Sequence, residues 1–236
     1  MSNKSGASEQ IISLPKGGGA LQGIGEKFAP DLFTGTGNFA VPISVPAGRN
    51  GFQPELNLVY STGSGNGPFG LGWSLSVPGV SRKTSKGVPR YRDGSSDPDE
   101  RDTFVLSGAE DLVPVAETQA RSSEHPTQIN HDTQYRPRTE GLFALICRHR
   151  EIDQEAGVVK ADYWEIKSKD GLTSTYGAAL NLGGDTQTLI EPSVVADPDR
   201  RDHIFSWRLT ETRDPFGNRI VYEYERDSGT EVGHHW

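Results

Sequence analysis

Short runs in which apolar and polar residues alternate, broken every few positions by glycine or proline, fill most of this 236-residue chain and constrain its fold more than any other feature. A period of two sends successive side chains to opposite faces of a strand, and no stretch of ten or more residues carries the 3.6-residue apolar spacing of an amphipathic helix. The expected fold class is all-β, mostly antiparallel strands and hairpins with long polar loops. Strand-like runs are Asn38–Val45, Glu55–Tyr60, Gly70–Val77, two short pieces within Thr103–Val115, then Leu142–His149, Tyr163–Lys167, Leu172–Tyr176, His203–Thr212 and Arg219–Glu225. Pro42 interrupts the first, and a residue without an N–H suits an edge or a bulge.

Two turns predict pairings. Lys169-Asp170-Gly171 lies between Tyr163–Ser168 and Leu172–Tyr176, and Asp-Gly tolerates the positive φ of a tight hairpin. Asp214-Pro215-Phe216-Gly217-Asn218 joins Trp207–Thr212 to Ile220–Tyr224 in the same way. The polar stretches Asp93–Glu100 and Gln119–Arg138 lack sustained periodicity and are expected as exposed loops. Sixteen of the 28 glycines fall in the first 79 residues, which marks them as a distinct segment. The chain is accordingly divided into a disordered tail at 1–10, a glycine-rich β segment at 11–118, a polar loop at 119–139, and a β-hairpin segment at 140–236 that reads as cut short within a larger sheet.

Composition excludes several functions. The longest apolar run, Leu142–Cys147, is far too short for a spanning helix, and the first ten residues carry no apolar signal-peptide core. With 24 Lys plus Arg against 32 Asp plus Glu the net charge is −8, which argues against nucleic acid and anionic lipid as partners. Cys147 is the single cysteine, so no intramolecular disulfide and no cysteine-based zinc cluster can form.

Each candidate chemical motif meets a simpler alternative. Gly65-Asn66-Gly67-Pro68-Phe69-Gly70 matches G-x-G-x-x-G, but a strand and not a phosphate-binding helix follows, so a glycine-built turn is expected. Lys16-Gly17-Gly18-Gly19 has the lysine on the wrong side for a P-loop. Asp93, Asp97, Asp99, Glu100 and Asp102 could ligate a hard cation such as calcium, yet they lack the D-x-D-x-D-G spacing. Histidines 125, 131, 149, 203, 234 and 235 form no H-E-x-x-H, and Cys147 in its apolar run reads as a buried, inert thiol. Glu223-Tyr224-Glu225 with Ser174-Thr175 upstream resembles parts of an ADP-ribosyl transfer site, although Tyr222 and Tyr224 alternate with the glutamates as in any half-buried strand. No catalytic, cofactor-binding or metal-binding residue is assigned.

Longer strings carry a resemblance. Ile12–Ala20, Gly23–Phe28, Thr34–Gly37, Val41-Pro42-Ile43, Gly48–Phe52, Ser64–Leu75, Arg82-Lys83-Thr84, Gly87–Tyr91 and Leu106–Pro114 together are similar to the N-terminal domain of the Salmonella plasmid virulence B family, which also opens the B components of insecticidal toxin complexes. Trp207–Glu225 resembles one hairpin unit of RHS/YD repeats. The resemblance implies a place in an RHS-like β-shell that encloses a cytotoxic effector. It also implies partnership with the other shell part, the RHS or C component, and with the toxin's A component through a downstream region. The Salmonella relative carries its ADP-ribosyltransferase after the matched region, so no catalytic residue transfers. The expectation is therefore a non-catalytic structural module, not an enzyme, without cofactor or membrane insertion, cytoplasmic before export and secreted without a Sec signal. Two other readings stay open: a stand-alone docking or adhesion module, and an ADP-ribosyltransferase using Glu223 and Glu225.

Overall fold

The computed structural model describes residues 27–31, 36–85, 87–107, 111–123, 127–139, 143–155, 157–177 and 192–225. The expected tail at 1–10, Lys16–Gly19, His125, His234 and His235 lie outside the described residues. The chain forms two compact units: Met1–Ser44 with Glu55–Ser76, and Val45–Pro54 with Val77–Trp236.

In the first unit, β1 (Lys27–Asp31), β2 (Thr36–Ile43), β3 (Leu56–Ser61) and β6 (Trp73–Leu75) form an antiparallel sheet in that order. Trp73 packs on Tyr60 at 5.2 Å and on Phe39 at 6.3 Å between ring centroids, giving this small sheet an aromatic centre. The strand holding Pro42 is interior, which corrects the edge expectation. Among the described residues β1 pairs as far as Ala40, and Pro42 lies beyond that point, opposite Asn57 of β3. β4 (Asn66–Gly67) and β5 (Gly70–Leu71) make the glycine-built turn.

The second unit is a barrel. β7 (Gly79–Arg82), β8 (Phe104–Leu106), β9 (Asp111–Arg121), β10 (Gln128–Pro137), β11 (Leu145–Asp153), β12 (Val158–Lys167), β13 (Thr173–Tyr176) and β15 (Ile204–Arg213) pair in sequence, except that β15 lies between β13 and β7 and so closes the ring. β14 (Val194–Ala196) and β16 (Arg219–Val221) add to β15. Every strand pairing is antiparallel, as the sequence pattern implies. Val80, Phe104, Leu112, Ile146, Trp164, Trp207 and Leu209 fill the interior, and Phe104 meets Trp164 at 5.1 Å and Trp207 at 5.8 Å edge to face. Such aromatic contacts add about 0.5–1.5 kcal/mol each beyond area burial.

Both predicted hairpins form. Gly171 (φ 82°) turns β12 into β13, and Gly217 (φ 85°) turns β15 into β16. The expectation of a loop over Gln119–Arg138 is corrected: it contains the end of β9 and the whole of β10. Backbone ladder bonds need no apolar period, and β9 from Val113 onward is exposed, so no buried face writes an alternation into it.

Candidate functional site

The most concentrated chemistry in the second unit is a group of charges inside its aromatic core. Alternation along β11 sends Ile146 and Arg148 inward, and on the facing strand Trp164 and Asp162 do the same, with Arg148 opposite Trp164 and Arg150 opposite Asp162. Arg148 donates through Nε and Nη2 to Asp162 at 2.8 and 2.6 Å, a two-pronged contact that a guanidinium makes better than an ammonium. Its Nη1 reaches Asp93 at 2.9 Å. Arg82 at the end of β7 holds the same Asp93 by two donors at 2.5 and 2.7 Å, takes Asp102 at 2.9 Å, and gives Nε to the Ile204 carbonyl at 2.7 Å.

Aromatic rings wall these charges. Arg148 lies 4.8 Å from the Phe104 ring and 4.9 Å from Trp207, and Arg82 lies 4.7 Å from Tyr91. Stacking and ion pairing together offset the cost of removing two guanidinium groups from water. Burial alone would raise the Asp93 carboxyl pKa, but Arg148 and Arg82 overcome it and hold the group well below the usual carboxylate range. Burial likewise opposes the charge on Arg148, and Asp162 with Asp93 more than restores it. Asp93 and Arg148 are therefore held in their charged forms, and the ion pairs of Asp93 and Asp102 with Arg82 and Arg148 latch their loop to the barrel interior. Tyr91 sits in that loop at φ 57°, held by its N–H on Asp102 at 2.8 Å and stacked on His203 at 4.3 Å.

The residues singled out in the sequence scatter. Within the acidic loop, Asp93 and Asp102 turn inward to the arginines, Asp97 caps a short 3-10 turn through the Asp99 N–H, and Glu100 pairs with Arg92. That corrects the picture of a wholly exposed loop, and opposite charge buried on β7 and β11 is the cause. Among the described residues no three His, Cys, Asp or Glu side chains are placed to hold a metal ion. Cys147 points outward and is half-buried, not a core thiol, because its neighbours Ile146 and Arg148 take the inward positions. Burial, with Glu165 and Asp132 nearby, pushes its pKa up.

His149 meets Asp132 at 2.8 Å and stacks on Tyr163. Glu223 and Glu225 are exposed, whereas Tyr224 turns in and donates its hydroxyl to the Leu209 carbonyl at 2.7 Å. Ser174 faces the Thr212 hydroxyl at 3.3 Å. Sequence reasoning missed Arg82, Arg148 and Asp162. The available signal was the two-residue phase that puts Arg148 in line with Ile146 and Asp162 in line with Trp164.

Comparison with known proteins places this architecture. The model of the family described as SpvB, Salmonella virulence plasmid 65kDa B protein, matches residues 31–235. Mono(ADP-ribosyl)transferase SpvB of Salmonella choleraesuis (strain SC-B67) is 34% identical over 231 residues, covering 93% of this chain and 34% of that protein. The Salmonella typhimurium protein of the same name is 34% identical over 230 residues, 93% of this chain and 33% of its own. The chain thus spans about a third of the length of these curated relatives. The crystal structure of TcdB2-TccC3 superposes with a TM-score of 0.68 at 29% identity, covering 95% of this chain and 10% of that one. The N-terminal domain of effector protein SpvB from Salmonella typhimurium strain LT2 gives a TM-score of 0.61 at 28% identity, covering 82% and 56%.

Two expectations are overturned by these matches. A non-catalytic structural module, and a protein that is not an enzyme, conflict with relatives that match over 93% of the chain and are named mono(ADP-ribosyl)transferases. Reading function from the matched region alone, where no catalytic residue stood out, is what misled. The all-β class and the likeness to toxin-complex shell proteins agree with the structural matches.

Proposed function

We propose, from the premise that this chain belongs to the SpvB family of the Salmonella virulence plasmid 65kDa B protein, that it is part of an exported mono(ADP-ribosyl)transferase toxin whose β-units associate with an RHS-type toxin component. The observation that carries the reading is 34% identity across 93% of the chain to relatives bearing that enzyme name. The likeness to TcdB2-TccC3 supports the partnership. ADP-ribosyl transfer breaks the bond between nicotinamide and ribose in NAD and joins the ribose to a nucleophilic side chain of an acceptor protein, with nicotinamide leaving. The activity is proposed for the whole protein that contains these 236 residues.

The test uses the product of the uninterrupted gene. Incubated with NAD labelled in its adenine and a eukaryotic cell lysate, it should transfer label to a lysate protein. No transfer above a no-enzyme control would overturn the enzymatic reading. Failure of an RHS-type component to co-purify with it would overturn the partnership.

A further inference from the structure

From Val113 to Arg121, β9 has β10 on one side and no strand on the other among the described residues, because β8 reaches only Asp111 and Leu112. An open edge of this length is a template for another strand. Which backbone groups it offers follows from the ladder. Ser122 N–H donates to the Gln128 carbonyl while Arg121 lies opposite Ile129, so Arg121 and, in step with it, Gln119 and Glu117 turn their N–H and C=O groups away from β10.

The side chains on that edge are nearly neutral. Glu117 and Arg121 are the only charged residues between Val113 and Arg121, four positions apart and on one face. Arg101 pairs with Oε1 of Glu117, whose side chain is still 46% exposed, which leaves the second carboxylate oxygen to a further donor. Arg121 is exposed and has no ion-pair partner among the described residues.

We propose that this edge pairs with the same edge of a second copy of the chain, antiparallel, about a two-fold axis through Gln119. In that register Gln119 faces Gln119, and Glu117 of each copy faces Arg121 of the other. The outward N–H and C=O groups of residues 117, 119 and 121 then all meet partners, which a shift by one residue would prevent. An axis at Glu117 opposes two carboxylates, one at Arg121 opposes two guanidinium groups, and axes at Thr118 or Ala120 leave the charges unpaired. Only the Gln119 register satisfies the hydrogen bonds and forms two cross-strand ion pairs, as an isologous interface requires.

Sedimentation equilibrium of the 236-residue chain tests this. The wild type should show a monomer–dimer equilibrium. Glu117→Arg and Arg121→Glu should each weaken dimerisation by about tenfold or more, since each reversal turns two attractive pairs into two repulsive ones. The double variant E117R/R121E restores both pairs with opposite polarity and should return the dissociation constant to within about threefold of wild type. Far-UV circular dichroism and the melting temperature of each variant show that the barrel is intact. A monomer at every concentration, a dimer indifferent to single reversal, or a double variant no better than the singles would each overturn the proposal.

Discussion

The telling side chain is Arg148, a charge 2% exposed in a core of tryptophan and phenylalanine. Its value to the fold lies in its partners, since a lone buried charge costs far more than any contact returns. Asp162→Ala removes the two-pronged partner and should destabilise the barrel by about 3–5 kcal/mol, read as a fall in urea midpoint at unchanged m-value. Arg92→Ala breaks the Arg92–Glu100 pair, whose side chains are 61% and 36% exposed, and should cost less than about 1 kcal/mol. Equal losses in the two variants would mean that the inner cluster contributes no more than a surface pair. The inner partnership was partly legible in the sequence, because Arg148 and Asp162 share the inward phase of their strands. Which charge met which was not, because Asp93 arrives from a loop 55 positions away from Arg148 and no local pattern encodes that approach.

Among the elements, the two glycine turns were the most legible parts of the chain, since both rely on local backbone chemistry alone. Their mutual contact was not legible. A Cβ built on Gly171 (φ 82°) would stand 2.7 Å from Cγ of Pro215, so the turn after β12 lies against the turn after β15. Gly171→Ala therefore meets both an unfavourable φ and a neighbouring ring, with an expected loss of about 1–3 kcal/mol. Gly94→Ala, with open space around the added methyl and no left-handed backbone, should change the melting temperature little. If differential scanning calorimetry finds the two substitutions equivalent, the contact between the turns is not stabilising. The pairing of β9 with β10 shows the converse: β9 from Val113 onward is exposed, and the inward positions of β10 include the polar residues His131 and Thr133, so no apolar period marks either strand.

For the barrel as a whole, titration bounds stability on both sides. The Asp93 carboxyl has a folded pKa below its ordinary 3.8, so the stability it contributes is complete above that value and drains away as pH falls through and below it. Urea midpoints measured from pH 7 downward should drop on the acid side, and Asp93→Asn should flatten that drop while lowering the plateau. A wild-type acid slope unchanged by the substitution would remove Asp93 from the account. On the alkaline side burial raises Tyr176 to about 12, and burial with Tyr222 nearby does the same for Tyr224 against the pull of Arg208. A raised phenol favours its neutral form in the folded state, so that stability is full below pH 10 and lost between about 10 and 12. Tyr224→Phe should reduce the alkaline loss, at the expense of the hydrogen bond to Leu209.

The all-β class and the antiparallel hairpins at Asp170-Gly171 and Asp214–Asn218 were written in the sequence, because period-two alternation and turn residues act over a few neighbouring positions. Long-range packing alone placed β15 between β13 and β7 to close a ring, set Asp93 and Asp102 of an acidic loop against arginines inside it, and turned Cys147 out while Arg148 faces in. Those outcomes depend on electrostatic and packing terms between segments far apart in the chain. Such terms arise only when the ring has closed and water has been removed from its interior.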